Sequence, residues 1–171
     1  MPENLPPTSY RPFEHLLPTQ VWSGAGASLQ LQKNPLVQKA QRLVLITDQG
    51  LQNTEHYQPL LESLGDKCAW VESEISADSD VHLVNAMASR IRKENIDTLI
   101  ALGGGSVMDT AKAVAVVVQK GGGIEDHVGF KRIREPLMPL LCIPTTAGTG
   151  SECTQFAVIK NRQDNKKLIF V

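Results

Sequence analysis

The segment TLIALGGGSVMDTAKAVAVVV, Thr98 to Val118, places three consecutive glycines between a short apolar run and an Ala- and Val-rich stretch. Glycine has no Cβ atom, so the main chain at such a turn can approach an anion closely. A helix that begins directly after the turn presents amide groups without helical partners and the positive end of its dipole. The glycines Gly103, Gly104 and Gly105 are therefore candidates for binding a phosphate or pyrophosphate. The alternative is a tight turn without a ligand.

Two polar residues after the glycines could cap this helix. Ser106 is the predicted N-cap, and Asp109, three residues later, completes an S-x-x-D capping box. The glycine spacing differs from the G-x-G-x-x-G of common dinucleotide-binding folds. The string GAGASL at Gly24 comes closer to that pattern, but it lacks the third glycine and is the weaker candidate.

A second polar loop, IPTTAGTGSECT, directly follows another apolar run. It contains four threonines, one serine and two glycines, and hydroxyl and amide groups at this density can hydrogen-bond ribose and phosphate oxygens. The alternative is a connection built from Ser and Thr turns.

A carboxylate, Asp48, ends the apolar run RLVLITD. At the end of a strand, such a group can accept hydrogen bonds from both hydroxyls of an adenosine ribose and would repel a 2′-phosphate. The alternative is a local Asx turn. Asp48 precedes the glycine turn instead of following it by about 20 residues, so we expect a relative of the dinucleotide-binding fold with different connections.

Strand-like and helix-like segments alternate along the chain. The predicted strands are TQVWSG, RLVLITD, KCAWVES, IDTLIALGGG and LMPLLCIPTT, and the predicted helices are ASLQLQKNPLVQKA, YQPLLESLG, DSDVHLVNAMASRIRKEN and SVMDTAKAVAVVVQKGGG. This alternation predicts a Rossmann-like α/β fold, a mainly parallel sheet with helices on both faces. The last segment, QFAVIKNRQDNKKLIFV, predicts a C-terminal β-hairpin. Residues 19–171 form one predicted domain, and residues 1–18, with five of the ten prolines, form a predicted N-terminal arm.

Parallel sheets bind ligands at the carboxyl ends of their strands. That rule places Asp48, the glycine turn and the threonine-rich loop at one rim of the sheet.

Composition narrows the possible functions of the 171-residue chain. Its net charge is −1 and it has no basic run, so we expect no nucleic-acid partner. No apolar run reaches the roughly 20 residues that span a bilayer, and no secretion signal is evident. The three cysteines have no CxxC spacing, which favours reduced thiols and a cytoplasmic location.

The motifs GGGSVMDTAKAVA and IPTTAGTGSE together resemble the N-terminal domain of the iron-containing (group III) alcohol dehydrogenases. That family belongs to a superfamily with glycerol dehydrogenase and dehydroquinate synthase, and TTAGTGSE points to the iron-dependent branch. The resemblance runs from about Thr19 to the C-terminus. It implies a dehydroquinate synthase-like N-terminal domain that binds NAD or NADP in a cleft against a second, helical domain.

The resemblance also implies roles for individual residues. Asp48 would contact the adenosine ribose. Val158 and Lys167, or Lys166 in place of Lys167, would lie near the nicotinamide ribose. The pyrophosphate would be held by Gly103, Gly104, Gly105, Ser106 and Asp109, and the adenine and ribose side would be lined by Thr145, Thr146 and Thr149. One departure is ESEIS (72–76), where family members often carry an Asn-Pro pair.

In this family, iron is held by an Asp and three His residues of the helical domain, which we expect to be absent from this chain. The four histidines, His15, His56, His82 and His127, show no ligand spacing, so we predict no metal-ligating and no catalytic residue here. Iron or zinc, and a small alcohol or aldehyde substrate, are expected only for a full-length enzyme that transfers hydride to or from nicotinamide. The isolated chain is expected to be inactive.

The chain ends in the apolar run KKLIFV, which favours a homo-oligomer. Two alternatives stay open for its function. One is a non-catalytic nucleotide-binding module, and the other is an interaction domain without nucleotide affinity.

Overall fold

A four-stranded parallel sheet forms the centre of the molecule. The computed structural model describes residues 19–75, 80–129 and 133–171, so the predicted arm lies outside the described residues. The strands are β1 (Leu43–Ile46), β2 (Cys68–Glu72), β3 (Thr98–Gly103) and β4 (Leu140–Pro144). They lie side by side in the order β2-β1-β3-β4, and all three pairings are parallel. The predicted parallel sheet is confirmed.

Five α-helices surround this sheet in the described part of the chain: α1 (Pro35–Lys39), α2 (Gln49–Gln52), α3 (Tyr57–Leu64), α4 (Val81–Lys93) and α5 (Gly105–Lys120). Short 3₁₀ helices span Ala27–Lys33, Gly65–Lys67, Ile124–His127 and Ser151–Cys153. α1 begins at Pro35, a position where proline is tolerated because its missing amide would have no helical partner. Asn34 caps the helix by accepting a hydrogen bond from the Leu36 amide. Gly65 ends α3 with a φ of 55°, as its position in the sequence predicts.

The side chains of β1 and β3 alternate between two apolar layers, one on each face of the sheet. Val44, Ile46, Leu99 and Ala101 pack with α4 and α5. Their neighbours in sequence pack on the opposite face against α3, α1 and the first 3₁₀ helix; they are Leu43, Leu45, Ile100 and Leu102. Every residue of these two strands is buried, which is why both are mostly apolar, with Thr98 as the polar exception. Helices therefore cover both faces of the sheet.

The predicted C-terminal hairpin is present, as β5 (Ala157–Asn161) paired antiparallel with β6 (Lys166–Phe170). Ile159 and Phe170 are buried in the same apolar layer as α4 and α5. Val158 and Ile169 point away from that layer and are 38% and 44% exposed. The hairpin is thus part of the core on one face and open to solvent on the other.

The strand predicted for TQVWSG is wrong. Residues 19–24 form no strand in the structure, and Val21 is 67% exposed. A strand depends on a paired neighbour for its hydrogen bonds, and this segment instead lies beside a groove along the edge strand β4. Local apolar composition alone could not supply that partner.

The chain reverses its direction of winding between β1 and β3. It runs from β1 outward to β2, then crosses back to β3 on the other side of β1 and continues to β4. In open α/β sheets, the loops that leave the two strands at such a point diverge and open a crevice at the carboxyl ends. Asp48 follows β1 and the glycine turn follows β3, so both border this crevice.

Candidate functional site

A cleft of about 840 Å³ opens at the carboxyl ends of the strands. It brings together Asp48, the glycine turn and the start of the threonine-rich loop, as the predicted strand ends require. Its lining residues are Asp48, Gln49, Gly50, Leu51, Glu74, Ile75, Gly104, Gly105, Ser106, Val107, Thr145 and Thr146.

The glycine turn forms one wall of this cleft. β3 ends at Gly103 and α5 begins at Gly105, with Gly104 as its N-cap. The φ of Gly104 is −85°, so the turn does not need a left-handed residue. It needs space instead: a Cβ atom on Gly104 would lie 3.0 Å from Thr146 Oγ1, and one on Gly103 would lie 2.5 Å from Val107 Cγ2. The amino end of a 16-residue helix thereby faces the cleft, and its N-cap Gly104 and first residue Gly105 have no side chains there.

The predicted capping box is wrong. α5 begins at Gly105, so Ser106 lies inside the first turn, and the N-cap makes no side-chain hydrogen bond to the helix. Asp109 is the fifth helical residue instead of the third and is too far along the helix to cap it. It is also absent from the residues that line the cleft. Its carboxylate accepts hydrogen bonds from Ser151 Oγ (2.6 Å) and from the Val158 amide (2.9 Å).

The threonine-rich loop forms the facing wall. Thr145, the first residue of this loop after β4, donates its amide to the Gly103 carbonyl oxygen at 3.0 Å, which holds the two loops together. Thr149 lies behind the cleft, where its Cβ would be 3.4 Å from a Cβ on Gly105. Gly148 and Gly150 have φ values of +91° and +65°, which favour glycine and allow the loop to bend back against α5. Thr145, Thr146 and Thr149 are all exposed.

Asp48 has a local role and also lines the cleft. Its Oδ1 accepts a hydrogen bond from the Leu51 amide at 3.1 Å, so the side chain caps α2. The local role of Asp48 is therefore that of a helix cap in place of the Asx turn considered as the alternative, and the half-buried carboxylate still borders the cleft. A cap and a ribose contact are compatible, because a carboxylate has two oxygens and several lone pairs.

The hairpin residues predicted for the nicotinamide ribose lie outside the cleft. Val158 on β5 pairs with Ile169, and Lys167 on β6 pairs with Lys160. Lys166, the alternative, pairs with Asn161 and is exposed. Their contact with a ligand stays a prediction.

Six lining residues were not named as site residues in the sequence analysis, and Glu74 is the charged one among them. It follows β2 and forms a backbone bridge with Asp48, so two carboxylates border the same side of the cleft. The sequence feature that could have identified Glu74 as a site residue is its position directly after the third predicted strand, at the carboxyl end of the sheet. The lining contains no Lys or Arg among the described residues, so the attraction for an anion in this lining comes from α5 and the main chain.

None of the described histidines and cysteines lines the cleft. His127 Nε2 lies 2.9 Å from the Gly121 carbonyl oxygen. Burial raises the pKa of the Cys142 thiol to about 11. Within residues 19–75, 80–129 and 133–171, no three His, Cys, Asp or Glu side chains gather as a metal site requires. The same part of the chain contains no helix of the length and apolarity needed to cross a bilayer.

Comparison with known proteins agrees with this geometry. The sequence profile of iron-containing alcohol dehydrogenases matches residues 18–171. A choline dehydrogenase of Bacillus subtilis is 37% identical over 86% of this chain, and alcohol dehydrogenase 4 of Schizosaccharomyces pombe is 30% identical over the same share. The crystal structure of sulfoacetaldehyde reductase from Bifidobacterium kashiwanohense, in complex with NAD+, superposes with a TM-score of 0.84 at 29% identity over 94% of this chain.

These matches cover only part of each relative. The chain spans 38% of the B. subtilis protein, 36% of the S. pombe protein and 43% of the reductase in the crystal structure. The profile match nevertheless extends over nearly the whole chain and includes both walls of the cleft. The chain belongs to the iron-containing alcohol dehydrogenase family.

Proposed function

We propose that this chain is the nucleotide-binding part of an NAD(P)-dependent, iron-dependent alcohol dehydrogenase. The observation that carries the proposal is the cleft, in which a helix end that begins with two glycines faces exposed threonines beside the Asp48 carboxylate. A dinucleotide offers a diphosphate for the helix end and ribose hydroxyls for the carboxylate. The NAD+ complex of the Bifidobacterium reductase, which shares the fold, supports this choice of ligand.

The roles proposed for the residues follow the family resemblance, and those of the residues that line the cleft also agree with their positions. Amides of the glycine turn hold the pyrophosphate, and Asp48 accepts hydrogen bonds from the adenosine ribose. Thr145, Thr146 and Thr149 supply the adenine and ribose side. Val158 and Lys167 contact the nicotinamide ribose from the hairpin. Asp109 acts indirectly, through the loop residues to which it bonds.

NAD is the favoured cofactor over NADP. Asp48 and Glu74 both line the cleft, and a 2′-phosphate beside them would place like charges together without a cation in the described lining to offset them.

Nicotinamide would accept or donate the hydride of an alcohol–carbonyl couple, and this chain would bind and orient the nucleotide. The described residues do not form a metal site, so we assign no catalytic or metal-binding residue here. Iron or zinc and the alcohol or aldehyde substrate belong to the full-length enzyme. We expect no turnover by the 171-residue chain alone. We also expect a homo-oligomer, formed through exposed apolar side chains such as Phe156 and Ile169. The three free cysteines favour a cytoplasmic location of the protein.

Calorimetric titration of the chain with NAD, NADP and ADP-ribose tests the proposal. We expect weak but measurable binding of NAD and ADP-ribose, and weaker binding of NADP. Absence of binding by all three would favour an interaction domain instead. An assay with NAD, simple alcohols and added iron or zinc should show no turnover, and robust NAD reduction would contradict the assignment of chemistry to the rest of the enzyme.

A further inference from the structure

Lys112 and Asp109 form a connected pair on α5, one to two turns from the glycine turn. Lys112 Nζ lies 3.3 Å from Asp109 Oδ1, and their side chains are 15% and 18% exposed. The ion pair is partly shielded from water, unlike the exposed pairs that contribute little to stability. Neither residue lines the cleft.

The Lys112 ammonium group is surrounded by main-chain oxygens of a single segment. It donates to the carbonyl oxygens of Ser151 (2.9 Å), Thr154 (3.4 Å) and Phe156. An ammonium group has three protons, and here they meet carbonyls from one short stretch of chain. Asp109 holds the same stretch through the Ser151 hydroxyl and the Val158 amide.

This stretch directly continues the threonine-rich loop. The loop is tied at its start by the hydrogen bond from Thr145 to Gly103. Its end has two glycines with positive φ, Gly148 and Gly150, which give the main chain freedom that must be removed for a defined loop shape. The contacts of Lys112 and Asp109 begin at Ser151, immediately after the second of these glycines.

The geometry points to Asp109 and Lys112 as positioning residues that hold the threonine-rich loop against the glycine turn, and so set the shape of the cofactor cleft from outside it. The inference rests on the proposed nucleotide binding for its functional consequence. Its structural consequence is independent: without the pair, the end of the loop is no longer tied to the helix that forms the other wall.

Hydrogen exchange and NAD titration on the full chain test this inference. In Lys112→Met, we expect exchange in residues 144–156 to accelerate about tenfold, the equivalent of one charge-assisted hydrogen bond. Exchange in β1 and β3 should not change. NAD affinity should fall by a similar factor, about tenfold. Lys120→Met is the matched control, because Lys120 lies at the other end of α5 and pairs with Glu135.

The outcomes separate the inference from the proposed function. Equal loop exchange in Lys112→Met and Lys120→Met would overturn the inference, and so would faster loop exchange with unchanged NAD affinity. If the parent chain itself bound no NAD, the proposed function would fail, and loop exchange alone would decide whether the pair holds the loop. Ser151→Ala removes only the hydroxyl bond to Asp109 and serves if Lys112→Met does not fold; it should accelerate loop exchange severalfold, and an unchanged rate would contradict the inference.

Discussion

The amide of Thr145 donates a 3.0 Å hydrogen bond to the carbonyl oxygen of Gly103. This bond continues the pairing of β3 with β4 by one step, where Gly103 stands opposite Pro144. The glycine turn and the threonine-rich loop therefore leave the sheet from adjacent positions. Two loops that are 42 residues apart in sequence become the facing walls of one cleft.

Removing the Asp48 charge should reduce the preference for NAD over NADP. Asp48→Asn is the informative change, because the amide oxygen can still cap α2 while the negative charge is lost. We expect the ratio of NAD affinity to NADP affinity, measured by calorimetry, to fall about tenfold. Glu74→Gln should lower it less, since Glu74 is exposed and solvent screens its charge more than that of the half-buried Asp48. An unchanged ratio in Asp48→Asn would show that the carboxylate serves only the turn.

Alanine at two adjacent glycines should have different effects. In Gly103→Ala, the new Cβ meets Val107 at 2.5 Å inside a buried region, so we expect a loss of about 1–3 kcal/mol in the free energy of unfolding. In Gly104→Ala, the new Cβ lies 3.0 Å from the exposed Thr146 hydroxyl, which can rotate away. The second variant should keep most of its stability and lose NAD affinity. Urea unfolding and calorimetry on both proteins measure this; equal stability losses would contradict it.

The hairpin should prove part of the folded core. Ile159 is fully buried against α5, so Ile159→Ala should cost about 2–5 kcal/mol of unfolding free energy. Val158→Ala, one residue away on the exposed face, should change it by about 0.5 kcal/mol or less. Urea denaturation compares the two. Similar small losses in both variants would mean that the hairpin unfolds separately from the sheet.

Stability should fall as the pH rises from about 9 towards 11, with a contribution from Cys142. Burial raises the pKa of this thiol from 9.0 to about 11, and Lys112 opposes the rise. The unfolded thiol ionises first, so above pH 9 the unfolded state releases a proton that the folded state retains, and folding is disfavoured. Cys142→Ala should show a shallower decline than the parent chain in unfolding free energies measured between pH 8 and 10.5. Parallel declines in the two proteins would show that Cys142 ionises normally when folded.

The sequence predicted the parts of this fold that depend on local pattern. The apolar runs in RLVLITD and IDTLIALGGG predicted two of the strands, and the binding of ligands at the carboxyl ends of parallel strands then predicted that Asp48 and the glycine turn share one rim. Helix ends marked by Gly65 and Gly121 were equally visible, because each residue ends its helix with positive φ.

Contacts between distant segments could not be predicted in this way. Asp109 looked like a cap because Ser106 stands three residues before it, but its partners Ser151 and Val158 lie more than 40 residues away. Glu74 lies in the cleft beside Asp48, with which it forms a backbone bridge, and no local sequence pattern predicts this pairing. The segment at Val21 lacked a partner strand, so its β propensity had no effect.

The two walls of the cleft differ in mechanical support. β3 is an interior strand with a neighbour on each side, whereas β4 is the outermost strand of the sheet. The strand before the glycine turn is therefore held by hydrogen bonds on both sides, and the strand before the threonine-rich loop is held on one side. We expect larger thermal displacements on the threonine side, so that ligand binding would move the threonine-rich loop towards a glycine turn that stays in place.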